Sequence, residues 1–179
     1  LATRLGKAIR FDVHDVRVFV GRGSSGVRGI RLKPNDFVVS MSLIPKLEKR
    51  VILSVTEKGF GKRTPIEDYR MTNRGGQGVA NIECSARNGP VVASYVASED
   101  DQIMLVTNSG KLIRIRVHGG EGDSIRVAGR KTQGVRLFDV DEGEKVVSVA
   151  LLNENDDDQD EETSEEIFEN KDTDNKPEN

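Results

Sequence analysis

Apolar residues along the chain fall into short runs that are separated by clusters of Gly, Asn, Asp and Lys. The runs 51–56, 103–107 and 146–149 are rich in β-branched residues, which favour strands. Residues 111–117 alternate polar and apolar side chains, as a half-buried strand does, with the basic residues on one face. Because no 3.6-residue periodicity continues beyond a turn or two, the pattern predicts an all-β protein.

One sequence pattern occurs three times in order along the chain. The motif T-x-x-G-x-x-x-R begins at Thr3, Thr56 and Thr107, at steps of 53 and then 51 residues. A second motif, R-x-x-x-G-V, follows in each copy and begins at Arg22, Arg74 and Arg130. A fixed internal period identifies a repeat architecture, and four short strands fit into each copy. The repeats, at approximately 1–50, 51–102 and 103–152, predict a propeller-like protein of four-stranded blades.

Three blades are too few for a closed propeller, because closure usually needs about four to eight. Thr3 also lacks the apolar strand that precedes Thr56 and Thr107. We therefore expect the chain to be a fragment with further blades upstream, in which residues 1–152 form a partial domain. Residues 153–179 are almost wholly polar and acidic, which predicts a disordered tail.

The net charge of −3 conceals a division between a basic body and an acidic tail. Residues 153–179 carry 13 acidic and two basic residues, a net charge of −11, which leaves +8 on residues 1–152. No apolar run approaches the roughly 18 residues of a membrane span. Cys84 is the one cysteine of the chain and forms no intrachain disulfide, so we expect a reducing, cytoplasmic location.

The sequence contains no convincing catalytic, nucleotide or metal site. The letters G-x-G-x-x-G occur at 21–26, but V-R-G-I at 27–30, which we interpret as a strand, follows them where a dinucleotide site needs a helix. His14 and His118 with one cysteine make a poor metal set. We therefore expect no catalytic residue, no metal and no cofactor within this chain.

The arginines recur in phase with the repeat, in three series. The first series is Arg10, Arg63 and Arg114, the second is Arg17, Arg70 and Arg126, and the third is Arg22, Arg74 and Arg130. Stacked blades would turn each series into a row, and a row of guanidinium groups matches a phosphate backbone without reading base sequence. An arginine at a fixed blade position equally suits a hydrogen bond to a turn carbonyl, so both interpretations stay open. The residues predicted to contact duplex DNA are Arg10, Arg17, Arg22, Arg28, Arg31, Lys62, Arg63, Arg70, Arg74, Lys111, Arg114, Arg116, Arg126, Arg130 and Lys131.

Several stretches together carry a family resemblance. They are D-V-R at 15–17 with G-V-R-G-I at 26–30, G-F-G-K-R-T at 59–64 with R-G-G-Q-G-V at 74–79, and G-R-K-T-Q-G-V at 129–135. In these motifs residues 1–152 closely resemble the C-terminal domain of bacterial DNA gyrase A, and the acidic tail also resembles the C-terminus of that family.

The resemblance implies a β-pinwheel, a six-bladed propeller variant whose basic rim bends duplex DNA so that the holoenzyme, an ATP-dependent type II DNA topoisomerase, introduces negative supercoils. It also implies that the catalytic tyrosine lies outside this chain and that ATP and Mg²⁺ bind elsewhere in the holoenzyme. The implied partners are double-stranded DNA and, in a heterotetramer, the rest of gyrase A together with gyrase B. No membrane partner is implied. The basic, glycine-rich box of the family's first blade is not found here.

Three alternatives stay open. The C-terminal domain of topoisomerase IV guides DNA without strong wrapping, although its blades are usually more degenerate. A propeller scaffold of the chromatin-condensation-regulator type binds protein partners and predicts no periodic basic rim. An independent enzyme is the weakest, because no acidic or metal-binding residues recur with the repeat. The acidic tail is either a solubilising extension or an internal competitor for the basic rim.

Overall fold

The computed structural model describes residues 1–45, 50–119 and 124–152; the predicted tail, residues 153–179, lies outside them. These residues form short strands and two single 3-10 turns, at Val13–Asp15 and Ile66–Asp68. The strands are β1 (Ala2–Thr3), β2 (Lys7–Ala8), β3 (Val38–Ser40), β4 (Val51–Thr56), β5 (Phe60–Pro65), β6 (Val79–Ala80), β7 (Val91–Ala97), β8 (Gln102–Thr107), β9 (Leu112–Arg116), β10 (Val135–Arg136) and β11 (Val146–Leu152). The predicted all-β fold is confirmed.

The strands form three antiparallel sheets, one for each sequence repeat. The strand orders are β3-β1-β2-β6, β10-β5-β4-β7 and β11-β8-β9. Each of the first two sheets takes its outer strand from the following repeat: β6 of the second repeat pairs with β2, and β10 of the third pairs with β5. The predicted blade boundaries therefore differ from the observed sheets, because each four-stranded sheet combines three strands of one repeat with one strand of the next.

The glycine of the R-x-x-x-G-V motif explains how this exchanged strand approaches its sheet. Gly78 and Gly134 both have a positive φ, of 69° and 78°. A Cβ at Gly78 would lie 2.5 Å from the carbonyl oxygen of Ala8, and one at Gly134 would lie 2.7 Å from that of Gly61. A side chain at either position would meet the backbone of the host sheet, so the close approach requires glycine.

The main core lies between the second and third sheets. Its fully buried members include Leu53, Val55, Ile103, Leu105 and Val117. The alternating pattern of β8, with Ile103, Leu105 and Thr107 buried, places one face of that strand in this core. Strand β4 pairs over six positions with β7, the outer strand of the same sheet. The backbone N–H of Ser94 in β7 donates to the Ser40 hydroxyl of β3 at 2.9 Å, which connects this core to the first sheet.

A buried polar network connects the segment around the exchanged strand β6 to strands β4 and β7 of the second sheet. The Tyr69 hydroxyl donates to the Asn81 side-chain oxygen at 2.5 Å, and the Asn81 amide donates to the Ser54 and Ser94 hydroxyls at 3.0 and 3.2 Å. All four residues are buried. Because their side chains satisfy one another, the network stabilises one arrangement of the exchanged segment.

Candidate nucleic-acid interface

Two members of the first arginine series, Arg10 and Arg63, connect neighbouring repeats. Arg10 donates to the carbonyl oxygens of Ile66 and Tyr69 at 3.1 and 3.3 Å, and Arg63 donates to that of Ile125 at 2.5 Å. Arg63 is 5% exposed. The backbones of Arg10 and Arg63 also form parallel bridges with the following repeat. These two arginines therefore hold that repeat in place.

Two members of the third series, Arg74 and Arg130, make a different contact between repeats. Arg74 donates to the carbonyl oxygen of Arg28 at 3.2 Å, and Arg130 donates to that of Ala80 at 3.0 Å. Arg28 and Ala80 occupy the same position in consecutive G-V motifs. Arg74 also donates to the carbonyl oxygen of Asp15, so this arginine is engaged on two sides.

Lys62 is a buried lysine whose ammonium group is held by a turn of the next repeat. The residue is 0% exposed and donates to the carbonyl oxygens of Gly129 and Arg130 at 2.5 and 2.9 Å and to the Thr132 hydroxyl at 3.2 Å. Burial, assisted by the positive charge of Arg130, lowers the pKa of Lys62 to about 8. The structure places Lys62 and Arg63 in the interior, which leaves neither side chain available to a DNA backbone.

The second series is exposed at the same position in all three repeats, at Arg17, Arg70 and Arg126. Arg70 and Arg126 each directly precede the residue that forms a parallel bridge to the preceding repeat. The Arg17 guanidinium lies over the Phe19 ring at 4.8 Å. Within the residues that the structure describes, neither Arg70 nor Arg126 has a hydrogen-bond or ion-pair partner on its side chain. Of the three series, this one has every member exposed to solvent.

Comparisons with known proteins decide the family. The model of the DNA gyrase C-terminal domain, a β-propeller, matches residues 1–45, 50–89 and 101–153. The chain belongs to this DNA gyrase C-terminal domain family. DNA gyrase A of Rickettsia bellii is 38% identical over an alignment of 209 positions that covers 91% of this chain and 22% of that protein. The gyrase A of Chlamydia pneumoniae is 44% identical over 160 residues, covering 88% of the chain and 18% of that protein.

Two solved structures share the fold. The C-terminal domain of DNA topoisomerase IV has a TM-score of 0.75 at 30% identity, over 84% of this chain and 45% of that one. The DNA gyrase A C-terminal domain has a TM-score of 0.70 at 30% identity, over 85% of this chain and 49% of that one. The predicted membership in the gyrase family and the predicted pinwheel-type fold are confirmed. The chain spans about a fifth of the length of the two gyrase A proteins above.

The remaining predicted basic residues of this gyrase C-terminal domain are also exposed. They are Arg22, Arg28, Arg31, Lys111, Arg114, Arg116 and Lys131. Lys111 is already paired with Asp141 at 2.5 Å and Glu144 at 2.9 Å. Hydrogen bonds from Ser109, Thr107 and Lys111 lower the pKa of Glu144 to about 2, so this carboxylate stays charged beside Lys111.

The structure also exposes basic residues that are absent from the predicted set. Arg87 and Arg136 both lie over the Phe60 ring, at 5.0 and 5.6 Å. Arg87 has no counterpart at the equivalent position of the other repeats, so the in-phase criterion overlooks it. The total charge of residues 1–152 is the sequence feature to which Arg87 contributes.

Residues 1–45, 50–119 and 124–152 contain no group of three or more His, Cys, Asp or Glu side chains placed to hold a metal ion. None of the helical turns in these segments has the length and apolar character needed to cross a membrane.

Proposed function

We propose that residues 1–152 bind duplex DNA along the exposed basic residues and bend it without reading base sequence, as part of a gyrase that introduces negative supercoils. The observation that carries the proposal is the exposure of Arg17, Arg70 and Arg126 at one repeat position, while most in-phase arginines of the other series are turned toward carbonyls. Evenly repeated cations on one scaffold follow a phosphate backbone.

The proposed contact set is smaller than the one that the sequence predicts. It consists of Arg17, Arg22, Arg28, Arg31, Arg70, Lys111, Arg114, Arg116, Arg126 and Lys131. We assign Lys62, Arg63, Arg10, Arg74 and Arg130 to holding the repeats together. These five residues donate to backbone carbonyls, so we expect their substitution to lower the stability of the fold and to weaken DNA binding only through that loss.

The proposed partners are double-stranded DNA, the remainder of gyrase A and gyrase B, in the cytoplasm. The membership in the gyrase family and the net charge of +8 on residues 1–152 support them. Strand passage and ATP hydrolysis, with its Mg²⁺, then belong to other parts of that heterotetramer. Each phosphate contact contributes to offsetting the cost of bending, which amounts to roughly 1–6 kcal/mol for a site of 20–30 base pairs.

A salt series of duplex affinity tests the proposal. The log-log slope should be several units, and Arg70→Gln or Arg126→Gln should each reduce it by about one while sequence preference stays absent. Lys145→Gln is the matched control, because Lys145 is exposed but lies outside the proposed set. Equal losses in all three variants would contradict a defined contact row, and no binding by the folded protein at low salt would contradict the function.

A second candidate is guidance of DNA without strong wrapping, as in topoisomerase IV. The TM-score of 0.75 to the topoisomerase IV domain, against 0.70 to the gyrase domain, favours it on shape. The two functions differ in DNA topology: wrapping changes the linking number of nicked circles that are sealed in the presence of the protein, whereas guidance leaves it unchanged. Binding without a change in linking number would therefore favour the second candidate.

A further inference from the structure

A small cavity lies between the first repeat and the segment that leads into the exchanged strand β6. Its lining includes Thr3 and Lys7 of the β1–β2 hairpin, residues of the turn 31–36, and Gln77, which directly precedes the motif glycine of the second repeat. The cavity has a volume of about 90 Å³. Because a water molecule takes about 30 Å³ in the liquid, the cavity has room for a group of the size of a phosphate.

Three cations and one carboxylate line this cavity. The cations are Lys7, Arg31 and Lys33, and Asp36 supplies the carboxylate. Among the described residues, none of the three cations has an ion-pair or hydrogen-bond partner on its side chain. The Asp36 carboxylate accepts two backbone N–H groups instead, at 2.9 and 3.0 Å. The lining therefore has a net charge of +2, carried by side chains without a partner.

In the second repeat an aromatic ring occupies the position of Lys7. Lys7 and Phe60 each lie four residues after the first threonine of their motifs. Phe60 is 3% exposed, so its ring is part of the interior. Glu83 and Ser85 stand at the positions of the two turn cations, five and seven residues after the motif glycine. The second repeat therefore has no cation at any of these three positions.

In the third repeat the same position has a cation that is already neutralised. Lys111 and Lys7 share their backbone geometry, because each N–H donates to the hydroxyl of the first motif threonine at 3.2 Å. The Lys111 ammonium pairs with Asp141 at 2.5 Å and Glu144 at 2.9 Å. Asp141 stands at the position of Lys33 in the first repeat. The first repeat therefore differs from the other two in having unpaired cations around this position.

We propose that the cavity beside Lys7, Arg31 and Lys33 is an anion site that binds one phosphate group. That the duplex backbone supplies this phosphate rests on the proposed function. A guanidinium group donates two parallel N–H bonds to phosphate oxygens, and the two lysines add point charges. The Gln77 side chain supplies a further amide donor in the lining. Phosphate contacts fix the register of a duplex, so the site gives the repeated basic surface one distinct contact.

The proposal adds Lys7 and Lys33 to the proposed contact set and makes them share a phosphate with Arg31. The salt dependence of binding counts the phosphates that are neutralised. Lys7→Gln and Lys33→Gln should each weaken duplex binding at low salt by about two- to fivefold. The double variant should lower the log-log slope by at most about one, whereas two separate phosphate contacts would lower it by about two.

A titration of the full chain with inorganic phosphate, at constant ionic strength and without DNA, tests the site directly. The amide chemical shifts of residues 31–36 should change and saturate, whereas those of the equivalent turn 141–144, where Lys111 is already paired, should not. Lys7→Gln should remove the saturating change. Lys145→Gln, at an exposed position outside the site, is the matched control and should preserve it. Changes that do not saturate, or that are equal in both turns, would overturn the site.

Duplex affinity across a salt series separates the site from the proposed function. Saturable phosphate binding together with unchanged duplex affinity in Lys7→Gln and Lys33→Gln would overturn the duplex as the source of the phosphate. A slope that falls by two in the double variant would overturn a shared phosphate. If the folded chain bound no duplex at low salt, the proposed function would fail, and the phosphate titration would still decide whether the anion site exists.

Discussion

Lys62 occupies the repeat position that Ile9 holds in the preceding repeat, yet the two residues contact equivalent turns through different interactions. Each lies six residues after the first threonine of its motif. Ile9 lies against Gly76 of the second repeat's turn, whereas Lys62 donates to the Gly129 and Arg130 carbonyls of the third repeat's turn. One position thus supports apolar packing in one sheet and a carbonyl-bound ammonium in the next.

The depressed pKa of Lys62 predicts a pH-dependent stability. Between its folded pKa of about 8 and the ordinary value of 10.5, the unfolded chain binds more protons, so the free energy of unfolding should rise with pH through this window. The full difference corresponds to about 3 kcal/mol by the linkage relation. Urea denaturation at a series of pH values across this window measures the rise.

Lys62→Met isolates this effect from other groups that titrate nearby. Burial raises the pKa of the Cys84 thiol, so this thiol lowers the stability of both proteins at alkaline pH. Its contribution cancels when the unfolding free energy of the variant is subtracted from that of the wild type. The unfolding free energy of the wild type minus that of Lys62→Met should rise as the pH increases above the folded pKa of Lys62. A flat difference would show that Lys62 keeps its ordinary pKa in the fold.

Asn81 is expected to be the most costly residue of the buried polar network. Asn81→Ala leaves the Tyr69 hydroxyl and the Ser54 and Ser94 hydroxyls without their shared partner, which should cost about 2–4 kcal/mol of unfolding free energy. Chemical denaturation measures the loss. Asn73→Ala, at an exposed position directly before a turn, is the control and should change the free energy of unfolding by less than about 0.5 kcal/mol.

Gly134 is expected to be irreplaceable because two costs coincide there. Gly134→Ala adds the strain of a positive φ of 78° and places a Cβ 2.7 Å from the Gly61 carbonyl oxygen. Gly143→Ala has the same backbone strain, at a φ of 79°, but no atom within 4 Å of the new Cβ. The control should therefore cost about 1 kcal/mol and Gly134→Ala distinctly more, as measured by chemical denaturation. Equal losses would mean that the exchanged strand shifts to accommodate a methyl group.

Deletion of residues 153–179 is expected to tighten duplex binding, most strongly at low salt. The deleted segment carries −11 and the remaining chain +8, so an attached tail competes with DNA for the same basic surface at a high effective concentration. Equilibrium binding of both chains across a salt series measures this. Affinities that match at the lowest salt would reduce the tail to a solubilising extension.

Much of the architecture follows from local sequence features. The β-branched runs, the in-phase T-x-x-G-x-x-x-R motifs and the missing helical periodicity determine an all-β repeat protein, because strand preference and turn glycines act within a few residues. The motifs at 59–64 and 129–135 likewise determine the family. The opposite charges of residues 1–152 and 153–179 are also a property of the sequence alone.

The tertiary structure alone decided which arginines face solvent. Arg70 and Arg74 recur with the same period, yet one is exposed and the other donates to the first repeat. A period assigns equivalent positions to residues, but the environment of each position depends on which neighbouring repeat packs there. The exchange of β6 and β10 between sheets, and with it the burial of Lys62, depends on contacts between residues far apart in the chain, which no local pattern encodes.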